Sequence, residues 1–289
     1  MKLRRDTNMS KEQVMPIGVF IPATAGRGVS LDDLVELEVP TAQLHSPPAD
    51  MQTAEEAQKL RRRFDEKGVE ITVVFCGYEG ESYLDIPTVR ETVGLVPEAT
   101  RNERVEKTRR IADFAAVAGA PAIGLHIGFI SEDWDSPDFA DVVNVARELC
   151  DYCADRDLAM HLETGQETAD TLLHFLESVD RPNLAVNFDP ANMILYGSGD
   201  PLEAVKKVGP YVRSVHCKDA VPSDKPGVEF GREVPFGEGE VGAERFVATL
   251  IELGYTGPLT IEREISGEQQ VKDIRRTVKL LNSLKDELL

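Results

Sequence analysis

The chain has 289 residues, 42% hydrophobic and 29% charged, which is the composition of a globular protein rather than a disordered one. Its 32 Lys and Arg against 51 Asp and Glu give a formal net charge of −19, a surface that repels phosphate backbones and anionic lipid. Nucleic acid and membrane are therefore set aside as partners, no apolar run reaches the ~18 residues of a membrane span, and a small or metal-neutralised substrate is expected.

Residues 1–15 are polar, carry Arg4, Arg5 and Lys11, and lack the apolar segment of a secretory signal. A disordered leader is expected there, followed by one catalytic domain over 16–289. Short apolar or β-branched runs then recur at 17–21, 42–45, 69–75, 122–127, 158–164, 184–189, 212–218 and 259–262. Segments of helical period separate them. Ser30 with Asp33, and Asp200 with Glu203, read as helix starts, the second with Pro201 at the first helical position. Gly68, Gly119 and Gly254 stand where a left-handed residue ends a helix cheaply. Eight strand–helix units with no linker predict a single (β/α)8 TIM barrel, a fold of about 250 residues. A doubly wound sheet would want G-x-G-x-x-G after its first strand, and residues 20–30 hold none.

Two loops, 77–104 and 219–242, are longer than a connection needs and are expected over the C-terminal face, where barrel chemistry sits. Gly237 and Gly239 in the second read as a turn rather than a phosphate cradle, because Glu238 and Glu240 flank them. Cys150 and Cys153 share one face of a helical run, and no second pair completes a zinc site. With Cys76 and Cys217 they are too few for a disulfide framework, so a reducing, cytoplasmic compartment is expected. His174 lies in a helical stretch and reads as structural.

The later strands carry the chemical signal. Successive strand residues face opposite sides. One side holds His161 and Glu163, then Asn187 and Asp189, then Ser214, His216 and Lys218, then Thr260 and Glu262. The other holds Met160, Leu162, Val186, Phe188, Val215, Cys217, Leu259 and Ile261. The apolar side must meet the outer helices, so the polar side fills the barrel. Three carboxylates in an enclosed space would protonate unless a cation neutralised them. Glu163, Asp189, His216 and Glu262, each from a different strand end, suit one divalent ion: Mn²⁺ first, with Mg²⁺, Co²⁺ or Zn²⁺ as alternatives. An internal salt-bridge network through Lys218 and Arg263 is the alternative, but it supplies few cations for the acids.

The segments Leu125-His-Ile-Gly128, His161-Leu-Glu-Thr164, Asn187-Phe-Asp-Pro-Ala-Asn192, Val215-His-Cys-Lys-Asp219 and Leu259-Thr-Ile-Glu-Arg263 resemble the xylose isomerase-like TIM-barrel superfamily, nearest its sugar phosphate isomerase/epimerase group. The resemblance implies metal ligation by the same four residues, with Glu163 and Glu262 also acting as acid and base. It implies an isomerase or epimerase that moves a proton α to a carbonyl through an enediolate. A lyase, dehydratase or hydratase on a keto-sugar or cyclitol is the alternative use of such a site, and a non-catalytic carbohydrate-binding barrel is a third. His126, His161, Asn192, Lys218 and His45 are the candidate substrate contacts. Asn192 stands where many epimerases of the group carry His, and Pro222 where several carry Arg, which argues against a simple free-ketose 3-epimerase. A small carbohydrate is the expected partner; a homo-oligomer stays open, since the group often pairs barrels.

Overall fold

The computed structural model describes residues 14–24 and 28–289. Its first half runs β1 (Ile17–Pro22), α1 (Leu31–Glu36), β2 (Thr41–His45), α2 (Ala54–Lys67), β3 (Glu70–Phe75), α3 (Ile86–Thr92), α4 (Glu98–Ala118), β4 (Ala122–Leu125) and α5 (Pro137–Ala154). The second half continues with β5 (Ala159–Glu163), α6 (Ala169–Val179), β6 (Leu184–Phe188), α7 (Pro190–Tyr196), α8 (Pro201–Val208) and β7 (Val212–Cys217). It closes with β8 (Asp219–Val221), β9 (Arg232–Val234), α9 (Ala243–Glu252), β10 (Leu259–Ile261) and α10 (Glu268–Leu288). Eight parallel strands form a closed barrel in the order β1-β10-β7-β6-β5-β4-β3-β2, as expected for a (β/α)8 fold.

Local chemistry sets the boundaries. Ser30 Oγ accepts the Asp33 N–H while the Asp33 carboxylate accepts the Ser30 N–H, a reciprocal cap that starts α1. Asp200 caps α8 through the N–H groups of Leu202 and Glu203. Gly68 and Gly119, at φ of 68° and 84°, end α2 and α4.

Two cores result. Met160, Leu162, Val186, Phe188, Val215, Cys217, Leu259 and Ile261 join the helices in the large outer core, with Phe188 stacked on Phe246 of α9 at 6.1 Å. A small separate cluster of Val73, Phe75 and Ala122, flanked by Phe20 and Ala159, fills the inside of the barrel. Gly124 makes room for it: a Cβ there would lie 2.6 Å from the Phe75 ring.

Two expectations change. Residues 1–13 of the expected leader lie outside the described residues, but Met15 is fully buried and its N–H donates to the Thr256 carbonyl, so the packed domain already includes it. The long segments after β3 and β7 are not plain loops: the first holds α3 and the start of α4, the second the antiparallel β8–β9 ribbon. The turn at Gly237 and Gly239 does cradle a carboxylate, but an internal one. Both N–H groups donate to Asp219 Oδ2, at 2.9 and 3.0 Å, and Val241 N–H donates to Oδ1. Cys150 and Cys153 are free and buried within α5, and His174 stacks on Trp134 with ring centroids 3.9 Å apart. Among the described residues no helix is long and apolar enough to cross a membrane.

Candidate metal centre and active site

Pairing register brings the ends of β5, β6, β7 and β10 together: Glu163 lies beside Asn187, Asn187 beside Ser214, and His216 beside Thr260. Just past those ends Asp189, Lys218 and Glu262 join the group. One ligand atom each from Glu163, Asp189, His216 and Glu262 falls within 4.8 Å of every other, and all four residues are buried. His216 Nδ1 is the focus, 2.9 Å from Glu163 Oε1, 3.3 Å from Glu262 Oε2 and 3.6 Å from Asp189 Oδ2.

Each side chain is aimed by a second bond. Asp189 is the N-cap of α7, and its Oδ1 accepts the N–H groups of Ala191 and Asn192 at 2.8 and 3.0 Å. That use of one oxygen turns the other inward, where Oδ2 is buried with no hydrogen-bond partner. His216 Nε2 meets Gln43 Oε1 at 2.7 Å, and Gln43 Nε2 donates to Asn187 Oδ1. An amide oxygen only accepts, so Nε2 carries the proton and the Nδ1 lone pair faces the carboxylates.

A lone pair among three carboxylate oxygens is repulsive without a positive charge between them. In the protein alone that charge is a proton: burial opposes it, yet Glu262 and Glu163 hold the His216 imidazolium well above its ordinary value. Burial likewise opposes ionisation of Glu262 and Glu163, but Lys218 with His216, and His126 with His216, keep them below the usual carboxylate range. A divalent cation supplies the same compensation. The orphaned Asp189 oxygen, the oriented imidazole and the three-carboxylate donor set all fit one of the Mn²⁺ or Mg²⁺ type.

The expected substrate contacts divide. A cavity of about 500 Å³ above the four ligands is lined by His45, His126 and Asn192 as well as Glu163 and Glu262. His126 Nε2 meets Glu163 Oε2 at 3.1 Å, while its Nδ1 receives the Gln166 amide at 3.3 Å. Asn192 bridges Glu163 and Lys218, donating to the first and accepting from the second. His161 does not line the cavity. It sits one step down the strand, bonds Ser214 Oγ at 2.8 Å, and is pushed by burial to about 4, so it is neutral and structural. Arg263 is turned away from the interior to Glu233 and Asp273, which removes it from the salt-bridge alternative and leaves Lys218 facing three acids. Gln43, Glu264 and the two aromatic pairs of the lining, Phe20 with Phe75 and Tyr196 with Phe230, carry no signal in the sequence.

An acidic, histidine-bearing cluster that could hold a metal ion thus lies at the strand ends of a closed (β/α)8 barrel. The family model described as xylose isomerase-like TIM barrel matches residues 32–284, and the chain belongs to that family. A crystal structure of a xylose isomerase domain protein from Planctomyces limnophilus is 51% identical with a TM-score of 0.93, covering 95% of this chain and 99% of its own. A D-tagatose 3-epimerase-like protein shares the fold at 19% identity and a TM-score of 0.73, covering 95% of this chain and 100% of its own. A 3-dehydroshikimate dehydratase from Bacillus anthracis is 26% identical over 187 residues, 62% of this chain and 60% of that protein's length.

Proposed function

We propose that this protein is a divalent-metal-dependent enzyme that moves a proton α to the carbonyl of a sugar or keto-sugar, an isomerase or epimerase. The observation that supports it most is the placing of Glu163 and Glu262. They reach one point from β5 and β10, with β6 and β7 between them, so two carboxylates flank whatever binds there. One, as the carboxylate, takes the proton from the carbon beside the carbonyl; the other, having first taken up a proton from solvent, gives it to the opposite face, and solvent exchange then resets the pair. His126 holds Glu163 and Lys218 holds Glu262, which fixes both for that exchange. A divalent ion held by Glu163, Asp189, His216 and Glu262 would supply the positive charge that polarises the carbonyl. The Phe20–Phe75 pair and the apolar barrel floor beneath it keep bulk water from one side of the site.

A second reading is loss of a neighbouring hydroxyl as water, which is supported by one relative being a dehydratase; the same two glutamates would take the α-proton and protonate the leaving hydroxyl. Incubating the Mn²⁺-loaded protein with keto-sugars in heavy water tests both. Deuterium at the carbon beside the carbonyl with a changed configuration supports the first reading, and a dehydrated product the second. No exchange with any keto-sugar, from protein shown to hold the ion, removes both.

A further inference from the structure

The cavity is charged in one sense. Beyond the two ligand glutamates its lining includes Glu81, Glu233 and Glu264, and among the described residues no Lys or Arg lines it. Glu81 is built into its wall, accepting the N–H groups of Tyr78 and Gly94. Glu233 is shared with Arg263, whose guanidinium is also held by Asp273. The cation nearest the floor is Lys218, with a side chain only 1% exposed.

Lys218 donates to two buried groups and is ion-paired with a third group. An ammonium offers three N–H groups. Nζ lies 3.0 Å from Glu262 Oε2, 3.2 Å from Asn192 Oδ1 and 2.8 Å from Glu264 Oε1. Glu262 and Asn192 belong to the buried floor. Glu264 is different: its side chain is 59% exposed, it is no metal ligand, and it reaches Lys218 from the rim of the cavity. Its carboxylate takes the direction from which a substrate phosphate or carboxylate would have to approach the ammonium. A divalent ion does not reverse the balance. It offsets two of the three ligand carboxylates and Lys218 offsets the third, which leaves Glu264 and Glu81 as excess negative charge. Two aromatic pairs complete the lining, Phe20 with Phe75 and Tyr196 with Phe230, surfaces that suit the C–H faces of an uncharged ring or chain.

We propose that the cavity selects an uncharged polyhydroxylated keto compound, and that Glu264, by occupying Lys218, sets the selectivity against phosphorylated and carboxylated analogues. Charge rejected by a fixed like charge is specificity by exclusion. The inference rests on the enolisation reading and narrows its substrate class.

Matched pairs test it: D-fructose and D-tagatose against their monophosphates, and an inosose against 3-dehydroshikimate, with wild type and Glu264→Gln. In the Mn²⁺-loaded wild type, deuterium uptake is expected from uncharged members, with kcat/KM at least ~10-fold above the charged partner. In Glu264→Gln that ratio is expected to narrow through a lower KM for the charged member. Binding gives a readout independent of turnover. With Mg²⁺-loaded protein the phosphorus NMR line of D-fructose 1-phosphate should stay sharp for wild type and broaden for the variant. Charged members exchanging as well as uncharged ones in the wild type would overturn the inference and leave enolisation standing. A wild-type preference unaltered in Glu264→Gln would remove Glu264 from the role. No exchange from any member would sink the enolisation reading and this inference with it.

Discussion

The two halves of the barrel do different work. β5, β6, β7 and β10 present Glu163, Asp189, His216, Lys218 and Glu262, while β1, β3 and β4 present Phe20, Phe75 and Gly124 to the same interior. The halves meet at His216, whose ring lies 5.5 Å from Phe20 and 5.4 Å from Phe75 while its nitrogens serve the polar side. The aromatic half is an apolar backing, and an apolar backing strengthens every charge interaction in front of it. β2 joins the two, because Gln43 sits on the apolar half yet bonds His216 and Asn187.

Removing a charge from the polar half should have the largest effect. Glu163→Gln or Glu262→Gln is expected to lower turnover by about 10²–10⁴-fold, read as the rate of deuterium incorporation. Either variant at wild-type rate would take that glutamate out of the chemistry. Truncating the backing should show in stability instead: Phe75→Ala is expected to cost about 3–5 kcal/mol, measured by urea unfolding. A loss below about 1 kcal/mol would mean that the inner cluster contributes little. At the junction, Gln43→Leu keeps the volume but frees the imidazole to take either tautomer. Its Mn²⁺ affinity should fall about 10–100-fold by calorimetry, and nitrogen NMR of His216 should show the Nε2–H preference lost. Unchanged affinity would make Gln43 a packing residue only.

The smallest effect concerns Glu167, a carboxylate outside the cavity whose oxygens are both buried without hydrogen-bond partners. Burial pushes it up to about 8 from an ordinary 4.5. The folded state then binds the extra proton between those values, so this group's contribution is full below about pH 4.5 and is lost as pH rises toward 8. Glu167→Gln removes that slope. Its melting temperature relative to wild type should rise steadily from pH 5 to pH 8, and a pH-independent difference would contradict the assignment.

What the sequence made legible follows from one rule. Where period-two alternation puts ionisable residues on the face that must be enclosed, as at His161, Glu163, Asp189, His216 and Glu262, their gathering inside the barrel is legible from the sequence. The same rule does not separate a ligand from a structural neighbour: His161 obeys it and bonds only Ser214. Gln43 was hidden because one amide between Ala42 and Leu44 carries no signal until it meets His216, 173 residues away. Glu264 was hidden because an exposed glutamate beyond a strand end is ordinary; only its contact with Lys218 gives it meaning. The α3 turn and the β8–β9 ribbon are short elements inside segments rich in turn residues, where local pattern is weakest.

The central claim is that four side chains form one metal centre, and Asp189 tests it best. Asp189→Asn keeps an oxygen to cap α7 but removes the charge and one oxygen directed at the site. Titration of Mn²⁺ into metal-free wild type and Asp189→Asn, followed by calorimetry and electron paramagnetic resonance, is therefore the decisive measurement. One tightly held ion per wild-type chain, weakened or lost in Asp189→Asn with the melting temperature of the metal-free proteins preserved, is the predicted result. No bound ion in wild type, or equal binding in both proteins, would contradict it.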